Sequence, residues 1–386
     1  MTTTAVSPKN ADAADAAGAA VPARGRRHSR RRGRTTIVVT ALAIALAALA
    51  VVSSGVGQLS IPVPEILGSI AQHANALLRG VGLGSVGLPV LAEPQHPNAD
   101  ATLWLIRFPR IVMAVVVGAA LATAGLVMQG VFRNPLAEPG IVGVSSGAAV
   151  GASAVIVFGT VGLNPLIAPA FAFIGGLAAT FIVYFSARAG GRTEVVTLVL
   201  TGIAVNAVAG AGIAFLTFAG TTQQREQIVF WQLGSLNGSR WQDVAIVLPV
   251  AAVGIAGAAL LSYRLDLLAL GERQARHLGV DVERTRIVGI VIVAVLTAAA
   301  VALCGIIAFV GLVIPHLMRM LLGPGHRALI PSSALGGALL LLAADLGART
   351  AVPYAELPIG MLTAIVGGPF FFWLLRRTRV RSGGWG

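Results

Sequence analysis

The sequence predicts an all-α polytopic membrane protein of about ten transmembrane helices, and three observations carry that prediction. The chain is 56% hydrophobic with a mean hydropathy of +0.84, and its apolar runs recur too often for a globular core. Glycine makes up 47 of 386 residues, well above the ordinary share of about 7%, and small residues let membrane helices pack closely. Positive charge gathers in the terminal tails and on the loops of one side. A net charge of +13 would suggest a nucleic-acid partner in a soluble protein; distributed in this way it is a topology signal, and no nucleic acid is expected.

In chain order, residues 1–34 divide into an Ala/Asp-rich start and a basic block, Arg24–Arg34. Neither can bury a core, so a disordered cytoplasmic tail is expected. The apolar run Ile37–Val52 invites a signal-peptide reading. It extends to about Gly57 without a convincing small-x-small site, and is read as an uncleaved first span. The predicted spans are Thr36–Gly57, Ile111–Phe132, Ile141–Phe158, Leu166–Ala187, Val195–Phe218, Val244–Ser262, Ile287–Leu303, Ile306–Leu322, Leu329–Leu346 and Leu357–Leu375. Residues 35–376 thus form the membrane domain, and 377–386 a second cytoplasmic tail. The seventh and eighth spans are cut from one apolar stretch by a tight turn near Cys304-Gly305. The outer segment Gln58–Ile106 carries five prolines and no sustained period, with one short helix expected around Pro64–Leu78.

With the N-terminus inside, only Arg79, Arg107, Arg110, Arg225, Arg240 and Arg349 of the 28 Lys/Arg fall outside. That asymmetry supports ten spans with both ends in the cytoplasm, although parity alone would also allow eight.

No catalytic constellation is present. A phosphate loop G-x-x-x-x-G-K-[ST] is missing, as are H-E-x-x-H, G-x-S-x-G and any cysteine pair, Cys304 being alone. His316, beside Pro315, reads as a packing or helix-end residue. Glu138, Glu194, Asp243, Asp266, Asp345 and Glu356 all read as span-end or loop positions. Ion-driven carriers usually hold an acid or a lysine inside a span, so this pattern disfavours a proton or sodium symporter and leaves the energy source external. A membrane-anchored structural protein is disfavoured by the polar breaks between spans. Gln129, Ser145, Ser146, Thr201 and Asn206 could line a path, and equally could be interhelical packing bonds.

The most densely charged internal stretch is Asp266–Arg286. Gly271 is placed to cap a helix, Glu272 falls in its first turn, Arg276 and His277 in its last, and Gly279 at the C′ position. Leu278 supplies an apolar face and Arg276 an exposed one. From residues alone this is a short helix or a solvated loop between two spans.

Several motifs then recur in one order. Arg107-Phe108-Pro109-Arg110 is followed by Met128-Gln129, by Asn134-Pro135-Leu136-Ala137-Glu138-Pro139-Gly140 and by Gly143-Val144-Ser145-Ser146-Gly147. Ala269-Leu270-Gly271-Glu272, Ala275-Arg276 and Leu278-Gly279-Val280 come next, and Gly311-Leu312-Val313-Ile314-Pro315-His316 and Ala355-Glu356-Leu357-Pro358-Ile359-Gly360 complete the set. From about Leu103 to the C-terminus the chain resembles the FecCD-type permeases, the membrane subunits of ABC importers for iron–siderophores, haem and cobalamin. The resemblance implies a type II importer fold with ten spans in a bacterial inner membrane, acting without a cofactor of its own. It implies coupling helices within 264–286, engaging an ATPase that holds ATP-Mg through Leu270, Gly271, Glu272, Arg273, Arg276, Leu278 and Gly279. It also implies a second permease chain and an extracytoplasmic binding protein docking on Arg107, Arg110 and Arg349. The implied cargo is an iron(III)–siderophore, with haem or cobalamin as alternatives. The tail before residue 35 and the loop at 79–100 depart from the pattern, and nothing is inferred for them.

Overall fold

The computed structural model describes residues 23–83, 87–90, 92–93, 95–159, 164–189 and 192–381. Seven helical stretches are long and apolar enough to cross a membrane: Gly33–Gly55, Ala99–Phe132, Ile167–Ser186, Val195–Ala219, Trp241–Leu268, Val282–Cys304 and His326–Thr350. Three shorter apolar helices, Val144–Phe158, Val310–Leu322 and Ile359–Trp373, occupy the remaining predicted spans.

Helix α1 (Ala23–Gly55) continues back through the basic block, which is helical rather than irregular. A helix already nucleated by an apolar run extends readily into Arg-rich sequence. Residues 1–22, the rest of the expected tail, lie outside the described residues. Helix α2 (Val63–Gly80) starts at the proline pair as expected, with proline in its first turn and Glu65 near its N-terminus. Helix α3 (Ala99–Ala101) runs through a π turn (Thr102–Arg107) into α4 (Phe108–Phe132), so this helical path starts earlier than Ile111. The wide turn has a cause in Pro109, which has no N–H to donate. The Trp104 carbonyl instead accepts the indole N–H of Trp241 at 2.7 Å.

The chain continues through α5 (Val144–Phe158), α6 (Ile167–Ser186) and a two-residue hairpin, β1 (Arg188–Ala189) and β2 (Arg192–Thr193), to α7 (Val195–Ala219), α8 (Thr222–Leu233) and α9 (Trp241–Leu268). It then forms α10 (Glu272–His277), α11 (Val282–Cys304), α12 (Val310–Leu322), α13 (His326–Thr350) and α14 (Ile359–Arg381). Helix α4 is the central post, buried along most of its length and packed by α9, α11, α12 and α13. Helix α7 is the reverse, with Ile203, Val208, Phe215 and Phe218 exposed.

Helices α5 and α12 both begin after irregular backbone. The Asn134–Gly140 segment stops α4 and restarts the chain through a 3₁₀ turn, Pro139–Val142. Helix α11 ends at Cys304, and Gly305 turns the chain with φ +69°, where the sequence predicts the cut. Phe309 then adopts φ +67° before α12. The two restarts are tied together, since the Glu138 carboxylate accepts the Phe309 N–H at 3.2 Å. Close backbone approach makes this junction possible: a Cβ on Gly125 would lie 1.8 Å from the Gly311 carbonyl. Gly125→Ala is therefore expected to destabilise by at least the roughly 1–3 kcal/mol of an overpacked core. Gly212→Ala, where the nearest atom is 3.8 Å away, is expected to be neutral; thermal unfolding of the two variants in detergent is the comparison.

Candidate functional site

At one end of the bundle α9 breaks at Ala269–Gly271 and α10 follows as a short separate helix. Gly271 takes φ +119°, which a side chain resists. At the far end the Gly279 N–H donates to the Arg276 carbonyl at 3.0 Å and the Val280 N–H to the Ala275 carbonyl at 2.9 Å. Together with φ +81° at Gly279 this is a Schellman motif. Ala275 closes the turn inward, packing with Leu268, Val280 and Val282.

The inward face of α10 is therefore Ala275, and Leu278 is not on it. Leu278 and Leu270 are 58% and 61% exposed. The helix ends at His277, so Leu278 sits on the cap and rotates away from the face that helical spacing would give it. Arg273 and Arg276 are exposed as well. The result is an outward surface of two leucines and two arginines on a turn fixed from behind.

What fixes it is Arg286, one turn into α11 and 3% exposed. Its guanidinium donates to the Glu272 carboxylate at 2.7 Å, to the Thr193 carbonyl at 2.6 Å and to Glu283 at 3.3 Å. Glu283 also accepts the Thr193 hydroxyl at 2.6 Å and the Tyr184 hydroxyl at 3.5 Å. Glu272 in turn receives Arg276 at 3.2 Å. Two cations and two anions thus join α10, α11, the end of α6 and the hairpin leading to α7. They floor a groove of about 790 Å³ that Arg133, Glu194 and Asp281 also line. Sequence reading named Glu272 but missed Arg286, Glu283, Thr193 and Tyr184. The available signal was an acid–base pair at i, i+3 just inside a span, where unpaired charge is expensive.

At the opposite end Arg107, Arg110 and Arg349 come together, the first two buried and Arg349 half-buried. Arg107 and Arg110 are 5% and 7% exposed, so the expectation of three exposed rim charges is not met. Arg107 donates to the carbonyls of Ser54 and Leu59, and Arg349 to those of Ser53 and Val56, which satisfies the C-terminal end of α1. Arg110 donates to Asp345 at 2.8 Å and to Glu356 at 2.9 Å. Asp345 is itself a correction: it lies inside α13, fully buried, and its charge is met by Arg110 and, at 3.7 Å, by Arg349. Glu138 stays in the loop between α4 and the 3₁₀ turn, as the sequence reading has it, half-buried and accepting the Phe309 N–H. Asp345 is thus a buried acid inside a helix, held by fixed cationic partners.

The path candidates divide. Gln129 is buried, donating to the Gly311 and Leu312 carbonyls at 3.4 and 3.3 Å and accepting from Arg319 at 3.0 Å, so it ties α4 to α12. The Ser146 hydroxyl donates to Asn206 at 2.6 Å, and Asn206 donates to the Gly140 carbonyl at 3.3 Å, joining α5 to α7. Ser145 lines a cavity of about 160 Å³ with Glu138 and Thr297. Thr201 is half-buried on α7. Among the described residues no three His, Cys, Asp or Glu side chains converge as a metal site.

A bundle of helices long and apolar enough to cross a membrane, with broken inner segments and a capped turn presenting side chains at one end, defines a multi-pass membrane protein. The FecCD transport family matches residues 45–377, and the chain belongs to that family. It is 45% identical over 313 residues to a hemin transport system permease protein, HmuU, of Yersinia pestis, covering 79% of this chain and 92% of that one. It is 42% identical over 359 residues to a cobalamin import system permease protein, BtuC, of Halobacterium salinarum, covering 89% and 91%. Among solved structures it is similar to an inward-facing metal-chelate type ABC transporter, with TM-score 0.74, 32% identity and coverage of 89% and 99%. The protein is a permease of the metal-chelate, haem, cobalamin and citrate-iron class of ABC importers, and these relatives leave the ion-coupled carrier without support.

Removing Arg110 strands Asp345 in the bundle, and breaking a buried pair from one side costs roughly 3–5 kcal/mol. Arg110→Ala is expected to lower the thermal midpoint in detergent sharply, and Arg110→Ala with Asp345→Asn to recover part of the loss. An unchanged midpoint in the single variant would assign Arg110 to a surface role.

Proposed function

We propose that this chain carries an iron(III)–siderophore complex into a bacterial cytoplasm as one half of a permease dimer, driven by ATPase subunits that engage α10. The observation that carries the reading is the capped α10 turn itself: exposed Leu270 and Leu278 flanked by Arg273 and Arg276, on a turn anchored from behind. An apolar pair with a basic border suits insertion into a protein groove. Both chain ends and α10 then lie in the cytoplasm, a placement the charge asymmetry favours.

The conduit is placed along the unpacked side of α7, where a second permease chain would face Thr201 and the Ser146–Asn206 pair. Groups already bonded to one another suit weak contact with a bulky chelate rather than stripping of a bare ion. Haem is the second reading, favoured by the 45% identity to the hemin permease. A binding protein outside would deliver the cargo. Direct use of Arg107, Arg110 and Arg349 in its docking requires them to leave Ser54, Leu59, Asp345 and Ser53, so we propose that they chiefly shape the receiving surface.

Uptake by proteoliposomes holding the permease, the ATPase and the binding protein separates the cargoes. A ferric siderophore is expected to accumulate and to resist competition by hemin and cobalamin; accumulation of hemin alone would overturn the assignment. The permease purified alone is expected to show no ATP hydrolysis and to stimulate its ATPase on reconstitution. Leu270→Asp with Leu278→Asp is expected to weaken ATPase binding by at least tenfold, about 1.4 kcal/mol, while leaving the thermal midpoint unchanged because both positions are exposed. Undiminished binding would remove α10 as the engagement site.

A further inference from the structure

We infer that Arg286 is a positioning residue that carries the displacement of α10 to the start of α7. The inference rests on the proposed engagement of α10 by an ATPase and names the next link inward. Helix α10 packs on α9 and α11, and its apolar attachment through Ala275, Leu268, Val280 and Val282 leads back to those same two helices. The polar attachment leads elsewhere. Glu272 holds one amino group of the Arg286 guanidinium at 2.7 Å, and the other amino group holds the Thr193 carbonyl at 2.6 Å. Thr193 ends β2, two residues before α7 begins at Val195. Its hydroxyl and its N–H both donate to Glu283, at 2.6 and 3.3 Å, so the hairpin end is held at three points.

A planar guanidinium bonded on both sides transmits push and twist in a way a flexible ammonium cannot. Arg286 itself is 3% exposed, so losing either bond leaves a buried donor short of a partner. The helix at the end of this chain of bonds is also the one most able to respond. Much of α7 is exposed, and it holds α5 through the Ser146–Asn206 bond. A small movement of α10 therefore arrives at the helix along which the conduit is placed, while the buried post α4 stays fixed.

The test separates transmission from folding and from ATPase binding. On a Cys304→Ala background, one spin label replaces Gln274, exposed on α10, or Val196, exposed on α7, and the reference label replaces Tyr354 at the opposite end. Distances are measured with and without ATP in the reconstituted complex. In the otherwise unchanged protein both the Gln274 and the Val196 labels are expected to shift. Arg286→Lys keeps the charge and loses the fork; Arg286→Gln keeps a planar donor that can reach only one of the two partners, Glu272 or the Thr193 carbonyl. In either variant the Gln274 label is expected to shift as before and the Val196 shift to fall by more than half. Transport per ATP hydrolysed is expected to drop about tenfold, within the usual range of coupling between sites. Unchanged Val196 shifts and unchanged transport per ATP in both variants would overturn the inference. A Gln274 label that fails to move in the unmodified protein would instead overturn the engagement of α10, and the inference with it. Should Arg286→Lys fold poorly, Arg286→Gln alone decides, since it leaves no unpaired cation in the bundle.

Discussion

The pairing of buried Arg286 with Glu272 is the interaction on which the functional end of the molecule depends. A charge one turn inside a membrane helix is tolerated only when fixed partners replace water. Arg286 finds them on three separate pieces of chain: α10, the hairpin before α7, and its own helix through Glu283. Meeting that requirement forces α10 back against the bundle. The six-residue helix could not hold its shape alone, since isolated helices of this length do not form in water. Its turn survives because Gly271 and Gly279 close it at either end and Arg286 and Ala275 grip it from behind.

The same rule governs the opposite end and the middle. Arg107 and Arg349 supply donors to the last carbonyls of α1, and Arg110 neutralises Asp345. Midway, the bundle accepts irregular backbone at two places by setting them against each other, with the Glu138–Phe309 bond and the Gly125–Gly311 contact between them. Irregular backbone at membrane depth is otherwise excluded unless protein or a wet cavity covers it. The cavity beside Ser145 and Thr297 lies at this junction. Phe309 holds a left-handed conformation there, a strain of roughly 1–3 kcal/mol that surrounding packing must hold in place.

Much of this was legible in the sequence, where the signal was local. Pro64 announced α2, Gly305 marked the end of α11, and Gly271 with Gly279 bracketed α10, because caps and breakers act through their own backbone. The motif order gave the family. What hydropathy could not show were partners far apart in the chain: Arg110 meets Asp345 and Glu356 across 235 and 246 residues. A charge near a span end reads as a surface charge until its partner is known, which is why the three arginines were expected on the rim and Asp345 was read only as a span-end residue. Leu278 was set on an apolar face apart from exposed Arg276 for a different reason. Helical periodicity was extended one residue past a helix that had already ended, and a C-cap does not follow that period.

The central claim is that α10 is a preformed turn clamped by the permease itself, and not a loop that an ATPase folds on contact. Amide hydrogen exchange of the isolated chain in detergent tests it most directly. The account predicts that the amides of Ala275, Gly279 and Val280 exchange slowly before any ATPase is added, and that Arg286→Lys accelerates them while leaving α4 protected. Fast exchange at these three amides in the isolated protein, with protection appearing only in the assembled complex, would contradict it.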